Sequence, residues 1–244
     1  MNIGLQIYTL REIISEGYDT IFQKVAEIGY KGIEMTYSPA DGYKVAEALK
    51  KHGLVCTGAH VSADALRNDP REAVDFLRTI GSNKIIIPWI GGDAIETEAA
   101  TIATAKRFEE GARLAVDHGF ELSFHNHTIE FERKFGERTI MDIFYDEAPT
   151  MKFEIDCGWA VAAGVDIVAT LNKFGNRLSV VHIKDVDANN TPTEIGSGRV
   201  DMKAALDTAK KYGVTWGVVE QDNCINYPPL ESIKVSFDYI KTIN

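Results

Sequence analysis

Cysteine is scarce in this sequence of 244 residues, which contains only Cys56, Cys157 and Cys224. An odd number of widely separated cysteines forms neither a disulfide framework nor a paired C-x-x-C zinc motif. A chain of this length buries roughly 70–75% of its unfolded surface, so a cross-link is not needed for stability. We therefore expect reduced thiols, as in a cytoplasmic protein.

Long apolar runs and basic clusters are also missing. No stretch approaches the ~18 apolar residues that span a bilayer, and the opening NIGLQIY lacks the charged and apolar regions of a signal peptide. These absences predict a cytoplasmic location and no membrane partner. The formal net charge of −10 argues against a nucleic-acid partner, because phosphate binding needs clustered Lys and Arg.

What the sequence does contain is a repeated unit, in which an amphipathic stretch ends at glycine and a short apolar stretch follows. The glycines that mark these units are Gly29, Gly53, Gly81, Gly119, Gly175 and Gly213. Glycine adopts the left-handed conformation that closes a helix at no steric cost. Each unit therefore predicts the end of a helix and the start of a strand, and Pro149 breaks the longest interval in the same way.

Together with the opening segment, these marks predict eight strands, near 2–7, 31–36, 54–60, 84–89, 120–126, 151–156, 178–184 and 215–220. Continuously apolar strands such as KIIIPWI are typical of a parallel sheet that is buried on both faces. Eight βα units in about 250 residues predict a (β/α)8, or TIM, barrel, as one domain over residues 1–244. An open doubly wound sheet is the alternative, but it would more often carry a glycine-rich fingerprint after strand one. The segment LQIYTLRE has none.

Polar side chains end the last four predicted strands, which is where barrel enzymes place their chemistry. The stretches FHNHTIEF, FEIDCGW, VVHIKDV and VVEQDN contribute Glu130, Asp156, His182 and Glu220. Successive members are 26, 26 and 38 residues apart, or one βα unit each. Carboxylates that converge at one rim raise one another's pKa values unless a cation lies between them. The set therefore predicts one divalent cation, Mn²⁺ first, with Mg²⁺, Co²⁺ or Zn²⁺ as alternatives.

These stretches, with GSGRVDM after VVHIKDV, resemble the motifs of the sugar phosphate isomerase/epimerase family. That family consists of xylose isomerase-like barrels and includes inosose dehydratases and ketose 3-epimerases. The resemblance spans the chain and implies a catalytic divalent cation held by Glu130, Asp156, His182 and Glu220. Ketose epimerases carry a Glu-Pro-Leu-Asn type stretch where this chain has HNHTIEF, so His125 or His127 is an alternative first ligand.

The chemistry implied by the resemblance is removal of a proton beside a metal-polarised carbonyl. The two metal-bound glutamates of the epimerases act as bases there, which implies Glu130 and Glu220 here. His127 is a further candidate base, because imidazole titrates near neutral pH, and Lys184 is a candidate for stabilising the oxyanion. The residues predicted to contact the substrate are Gln6, Glu34, His60, Trp89, His125 and Trp159.

Three functions stay open from the sequence. The first is an isomerase or epimerase that acts on a keto sugar or sugar phosphate through an enediolate. The second is a lyase of the inosose or 3-keto-glycoside type, which shares the first step and is favoured by the HNH stretch. The third is a non-catalytic sugar-binding barrel. A small sugar is the predicted partner in each case, and a homo-oligomer is left open.

Overall fold

The computed structural model describes residues 1–244 and contains a closed barrel of eight parallel strands. In chain order, β1 to β8 are Asn2–Gln6, Gly32–Thr36, Val55–His60, Lys84–Ile87, Glu121–His125, Lys152–Asp156, Leu178–Ile183 and Trp216–Val219. Each strand pairs in parallel with the next, and β8 pairs with β1 to close the barrel. The predicted TIM barrel is confirmed, because a doubly wound sheet would leave two free edges.

Helices fill the connections between strands and follow β8. In chain order, α1 to α11 are Tyr18–Ile28, Gly42–His52, Ala63–Asn68, Pro70–Thr79, Glu98–Asp117, Ile129–Glu132, Ile140–Glu147, Cys157–Ala162, Ile167–Phe174, Met202–Lys211 and Pro229–Ile243. The glycines predicted to end helices do so. Gly53, for example, lies at φ 65° after α2, in the left-handed region that side chains with a Cβ avoid.

One continuous core of 60 buried residues joins the barrel wall to the helices. Aromatic side chains fill the space between β5, β6 and their neighbouring helices: Phe124 lies edge-on to Phe144 at 4.9 Å, and Phe153 contacts Phe174 at 4.6 Å. Such aromatic pairs add about 0.5–1.5 kcal/mol each beyond the area they bury. None of the helices combines the length and apolar character that crossing a membrane requires.

Two small hairpins follow the carboxyl ends of β5 and β7. Lys134–Phe135 pairs with Arg138–Thr139 after β5, and Asp185–Val186 pairs with Pro192–Thr193 after β7. Strand β4 ends at Ile87, two residues short of the predicted end, because Pro88 has no N–H to donate to a neighbouring strand. Trp89 therefore lies beyond its strand, as Lys184 and Glu220 do beyond β7 and β8.

Candidate metal centre

Four side chains from neighbouring strands converge at the carboxyl end of the barrel. His125 and Asp156 are the last residues of β5 and β6, His182 lies near the end of β7, and Glu220 follows β8. One potential ligand atom from each lies within 4.8 Å of all the others, and all four side chains are buried. Adjacent parallel strands bring their carboxyl ends to one rim, so the spacing of one βα unit per ligand produces this group.

The group fits a divalent transition metal by the chemistry of its donors. Two imidazoles and two carboxylates suit Mn²⁺, Co²⁺ or Zn²⁺ better than a site built from oxygen alone. Asp156 Oδ2 lies in a fully buried residue, 3.0 Å from Lys184 Nζ and 3.9 Å from His182 Nδ1. A buried carboxylate is costly unless positive charge lies beside it, which the Lys184 ammonium supplies and a divalent cation would increase. We call these four residues, His125, Asp156, His182 and Glu220, the rim group.

Lys184 supplies a positive charge to the same space. Its Nζ lies 3.0 Å from Asp156 Oδ2, 3.0 Å from Glu220 Oε2 and 2.8 Å from Asp222 Oδ2, and 1% of the side chain is exposed. Burial acts to lower the pKa of Lys184, but the three carboxylates outweigh it and raise the pKa above its ordinary value. The ammonium is therefore a permanent counter-charge beside two members of the rim group.

A second layer of polar side chains lies beneath the rim group, inside the barrel. Its acceptors are Glu34 and Glu154, and its donors include His60 and Gln6. Gln6 Nε2 donates to Glu34 Oε1 at 2.8 Å, and His60 Nε2 lies 3.0 Å from Glu34 Oε1 and 3.1 Å from Glu154 Oε1. His60, Glu154, His125 and His182 also satisfy the distance condition for a metal group. Two histidines thus belong to both layers.

The two ring nitrogens of His182 divide between these layers. Nε2 lies 2.7 Å from Glu34 Oε1 and 2.9 Å from Glu154 Oε1, whereas Nδ1 lies 3.0 Å from Glu220 Oε2. A carboxylate that accepts one N–H of a histidine fixes the tautomer and leaves the other nitrogen free to bind a metal. The lower carboxylates thus orient His182 Nδ1 toward the rim group.

The carboxylates around the lower layer raise the pKa values of both of its central histidines. Burial acts to lower the pKa of His182, but the negative charges of Glu154, Glu34 and Glu220 raise it well above its ordinary value. Burial likewise opposes the rise at His60, where Glu34 and Glu154 together raise the pKa to about 9. The lower layer is therefore a set of charge-compensated pairs.

Glu130 lies outside both groups. It belongs to α6 and not to a strand, and its Oε2 accepts the backbone N–H of His127 at 2.7 Å. Oε1 is buried without a hydrogen-bond partner, and burial raises the pKa of Glu130 to about 7. The structure thus places His125 at the corner of the rim group that was predicted for Glu130, and a ligand role for Glu130 stays a prediction.

Aromatic rings line one side of the mouth. His127 lies edge-on to Trp89 at 5.2 Å and stacks on Trp159 at 6.0 Å, and Lys184 Nζ is 4.6 Å from the Trp159 ring. Burial, together with the positive charges of His125 and Lys184, lowers the pKa of His127 to about 3. Its imidazole is therefore neutral near pH 7, and its buried Nδ1 has no hydrogen-bond partner. Nδ1 can therefore accept a hydrogen bond from a bound molecule, and the role of His127 as a base stays a prediction.

The remaining residues that were predicted to contact the substrate lie at different depths in the barrel. Trp89 is 53% exposed, whereas Gln6 and Glu34 are fully buried and hydrogen-bonded to each other below the rim. Their predicted substrate contacts stay predictions. The sequence reading assigned no role to Glu154. Its position two residues before Asp156 could have indicated that its side chain also points into the barrel, since alternate strand residues share a face.

Comparison with known proteins identifies the family. A family model described as xylose isomerase-like TIM barrel matches residues 22–243. The chain belongs to this family. The resemblance inferred from the sequence motifs is thereby confirmed.

Individual relatives of this family member are distant in sequence. An inosose dehydratase of Clostridium beijerinckii is 28% identical, over 88% of this chain and 78% of the relative. A sugar phosphate isomerase/epimerase from Parabacteroides distasonis has a similar structure, with a TM-score of 0.85 and 22% identity over 98% of this chain and 93% of the other. A 3-keto-D-glucoside 4-epimerase from E. coli gives a TM-score of 0.76 with 16% identity over 99% of both chains. At such identities the structural likeness concerns the fold alone.

Proposed function

We propose that this protein is a divalent-metal-dependent isomerase or epimerase that acts on a keto sugar through an enediolate. The observation that carries the proposal is the rim group, in which two imidazoles and two carboxylates from neighbouring strand ends converge while buried, with the Lys184 ammonium against both carboxylates. His125, Asp156, His182 and Glu220 would hold the cation. When bound, a divalent cation polarises a carbonyl and stabilises the negative charge of an enediolate.

Glu220 is the candidate base for removing the proton beside the carbonyl. Burial acts to raise its pKa, but Lys184 and His182 lower it well below the ordinary value. The group is therefore ionised before substrate enters, and it lies at the mouth, where only 5% of the residue is exposed. An ionised carboxylate beside the proposed cation could accept a proton from carbon, whose acidity a polarised carbonyl would increase.

Lys184 and His127 would contact substrate oxygens while Glu220 moves the proton. The Lys184 ammonium, 3.0 Å from Glu220 Oε2, can donate a hydrogen bond to a developing oxyanion. The neutral His127 ring lies between Trp89 and Trp159 and can accept a hydrogen bond from a substrate hydroxyl at Nδ1. Return of the proton from Glu220 to the neighbouring carbon isomerises the sugar, whereas inversion of the carbon requires a proton donor on the opposite face.

A dehydratase is the second candidate, and Glu130 is the observation that favours it. With a pKa raised to about 7 by burial, its carboxyl is about half protonated near neutral pH and can give a proton to a leaving hydroxyl. The relative from Clostridium beijerinckii, which is named an inosose dehydratase, supports the same reaction class. Both candidates require the same first removal of a proton.

Isotope exchange distinguishes the candidates. Mn²⁺-loaded protein is incubated in D₂O with a panel of keto sugars and with inosose, and products are followed by proton NMR. Deuterium in an epimerised or isomerised product is expected, and loss of water would favour the dehydratase. Glu220→Gln should abolish exchange, whereas Glu110→Gln, at an exposed position on α5, should leave it unchanged. Absence of exchange across the panel would favour the non-catalytic sugar-binding barrel.

Metal analysis tests the rim group independently of activity. Asp156→Ala and His182→Ala each remove one proposed ligand, and both variants should lose the bound metal in an elemental analysis of purified protein. Full metal occupancy in both variants would exclude the rim group as the site.

A further inference from the structure

The segment that carries Glu220 lies beyond its strand. β8 ends at Val219, and the backbone N–H of Glu220 donates to the carbonyl oxygen of Ile183 at 3.3 Å, which is longer than the common N–H···O distance of about 2.9–3.0 Å. The next residue, Gln221, donates its backbone N–H to Thr9 Oγ1 at 3.1 Å. The place of Glu220 in the rim group therefore depends on side chains outside the barrel wall.

Gln221 is held a second time, through its side chain, by Glu194. Gln221 Nε2 donates to Glu194 Oε1 at 3.0 Å and to the carbonyl oxygen of Asn223 at 3.1 Å. Glu194 and Gln221 are each 1% exposed. A hydrogen bond to an ionised carboxylate is roughly twice as strong as one between neutral groups. The side chain of Gln221 thus ties residues 220–223 to Glu194.

The other contacts of Glu194 require a carboxylate. Oε2 accepts from Asn226 Nδ2 at 2.8 Å, and Oε1 lies 2.9 Å from Ser232 Oγ on α11. Burial acts to raise the pKa of Glu194, but hydrogen bonds from Gln221 and Asn226 outweigh it and lower the pKa below its ordinary value. An ionised carboxylate only accepts hydrogen bonds. An amide at this position would turn its own N–H₂ group toward one of the donors.

The loop that bears Glu194, residues 187–201 after β7, is anchored by a separate carboxylate. Asp185 Oδ2 accepts the backbone N–H groups of Gly196 at 2.9 Å and Gly198 at 3.0 Å. These contacts hold the loop close to the end of its own strand. Glu194 is therefore a fixed point from which the neighbouring segment after β8 can be held.

We propose that Glu194 is a positioning residue for Glu220, which it holds in the rim group by fixing Gln221. The Glu220 carboxylate lies 3.0 Å from both His182 Nδ1 and Lys184 Nζ, and a displacement of about 1 Å can cost about 100-fold in rate. Glu194 itself takes no part in the chemistry. This inference rests on the proposed function, in which Glu220 is a metal ligand and the candidate base.

Metal affinity is the first test. Glu194→Gln and Gln221→Met each break the connection, and each should weaken Mn²⁺ binding by about tenfold in a chelator competition. The variant that carries both substitutions should lose about as much as one of them, because residues that act through one contact are not additive. Additive losses, or unchanged affinity in Glu194→Gln, would overturn the proposal.

Turnover gives a second measurement in the D₂O exchange assay. At saturating Mn²⁺, Glu194→Gln should lower kcat by about tenfold and leave KM close to the wild-type value, because a displaced base is felt in the transition state. A rise in KM with unchanged kcat would contradict a positioning role for the base.

Glu109→Gln is the matched control. Glu109 on α5 is 7% exposed and accepts hydrogen bonds from Arg113 Nε at 2.6 Å and from the backbone N–H of Thr150 at 2.7 Å. Thr150 precedes β6, so this carboxylate lies at the amino end of the barrel, away from the rim group. The variant should lose stability but keep its Mn²⁺ affinity and kcat. Equal losses of affinity in both variants would show general destabilisation and overturn the proposal.

Hydrogen exchange of the metal-free protein decides the proposal without metal or turnover. Glu194→Gln should speed exchange of the backbone amides of residues 220–223 by about tenfold, the change expected for loss of about one hydrogen bond to a charged group. Glu109→Gln should leave these amides unchanged. If the wild type binds no Mn²⁺, the proposed function fails, while faster exchange at 220–223 still supports the role of Glu194 and unchanged exchange overturns it. Circular dichroism identifies a variant that fails to fold, and Gln221→Met then replaces Glu194→Gln.

Discussion

Replacing Lys184 by methionine should destabilise the metal-free protein strongly. The ammonium is buried and lies within 3.0 Å of carboxylate oxygens of Asp156, Glu220 and Asp222. Methionine has a similar length but no charge, so Lys184→Met leaves Asp156 and Asp222 without their nearest counter-charge and leaves Glu220 with His182 alone. Removing one partner of a buried ion pair costs about 3–5 kcal/mol.

That cost converts to a measurable change in melting temperature. One kcal/mol shifts Tm by about 2–4 °C in a chain of 150–250 residues. We therefore expect Tm to fall by roughly 6–20 °C in EDTA. Added Mn²⁺ should recover more stability in the variant than in the wild type, because a divalent cation in the rim group replaces the missing positive charge. Differential scanning calorimetry with and without metal measures both effects.

Lys234→Met is the matched control for this experiment. Lys234 forms a surface pair with Asp238, and the two side chains are 60% and 50% exposed. Exposed pairs of this kind contribute about 0–1 kcal/mol, so Tm should change by only about 4 °C at most. The reasoning is refuted if Lys184→Met in EDTA is as stable as this control.

Three further changes test other parts of the structure. Burial raises the pKa of Glu130 from 4.5 to about 7, so its protonated form stabilises the native state by about 3 kcal/mol. This contribution is complete below about pH 4.5 and is lost as pH rises through about 7. Urea unfolding of Glu130→Gln should therefore show a smaller loss of stability over that range than the wild type. Glu154→Gln removes a carboxylate that orients His182 and should weaken metal affinity by about 10–100-fold in a chelator competition, and unchanged affinity would contradict that role. Gly198→Ala places a methyl group against a buried carboxylate and should cost about 1–3 kcal/mol in urea unfolding, whereas Ser197→Ala at an exposed position of the same loop should cost less than about 0.5 kcal/mol.

The barrel could be predicted because its signals are local. Helix ends at glycine and apolar runs of strand length depend on the backbone conformation of a few neighbouring residues, and the strands begin and end within about two residues of the prediction. The error in the predicted end of β4, which placed Trp89 inside the strand, also has a local cause. Pro88, which cannot donate to a neighbouring strand, was available to place the end of β4 earlier.

The candidate site was predicted in part, for a different reason. Asp156, His182 and Glu220 lie at strand ends, where sequence spacing alone places them on one rim, and they do converge. Glu130 lies five residues beyond the end of β5, on α6, and its Oε2 accepts the backbone N–H of His127. Spacing says nothing about the direction of a side chain once the chain has left its strand, so the choice between His125 and Glu130 could not be made from sequence.

The sequence by itself determined the closed barrel and the rim at which its chemistry lies, because βα units of regular length arrange parallel strands with their carboxyl ends together. Only the tertiary structure decided what each side chain meets there. Glu34, which is 148 residues from His182, orients its imidazole, and Lys184 joins carboxylates from two other strand ends. These contacts join residues far apart in sequence at distances near 3 Å, and such distances depend on the packing of the whole barrel.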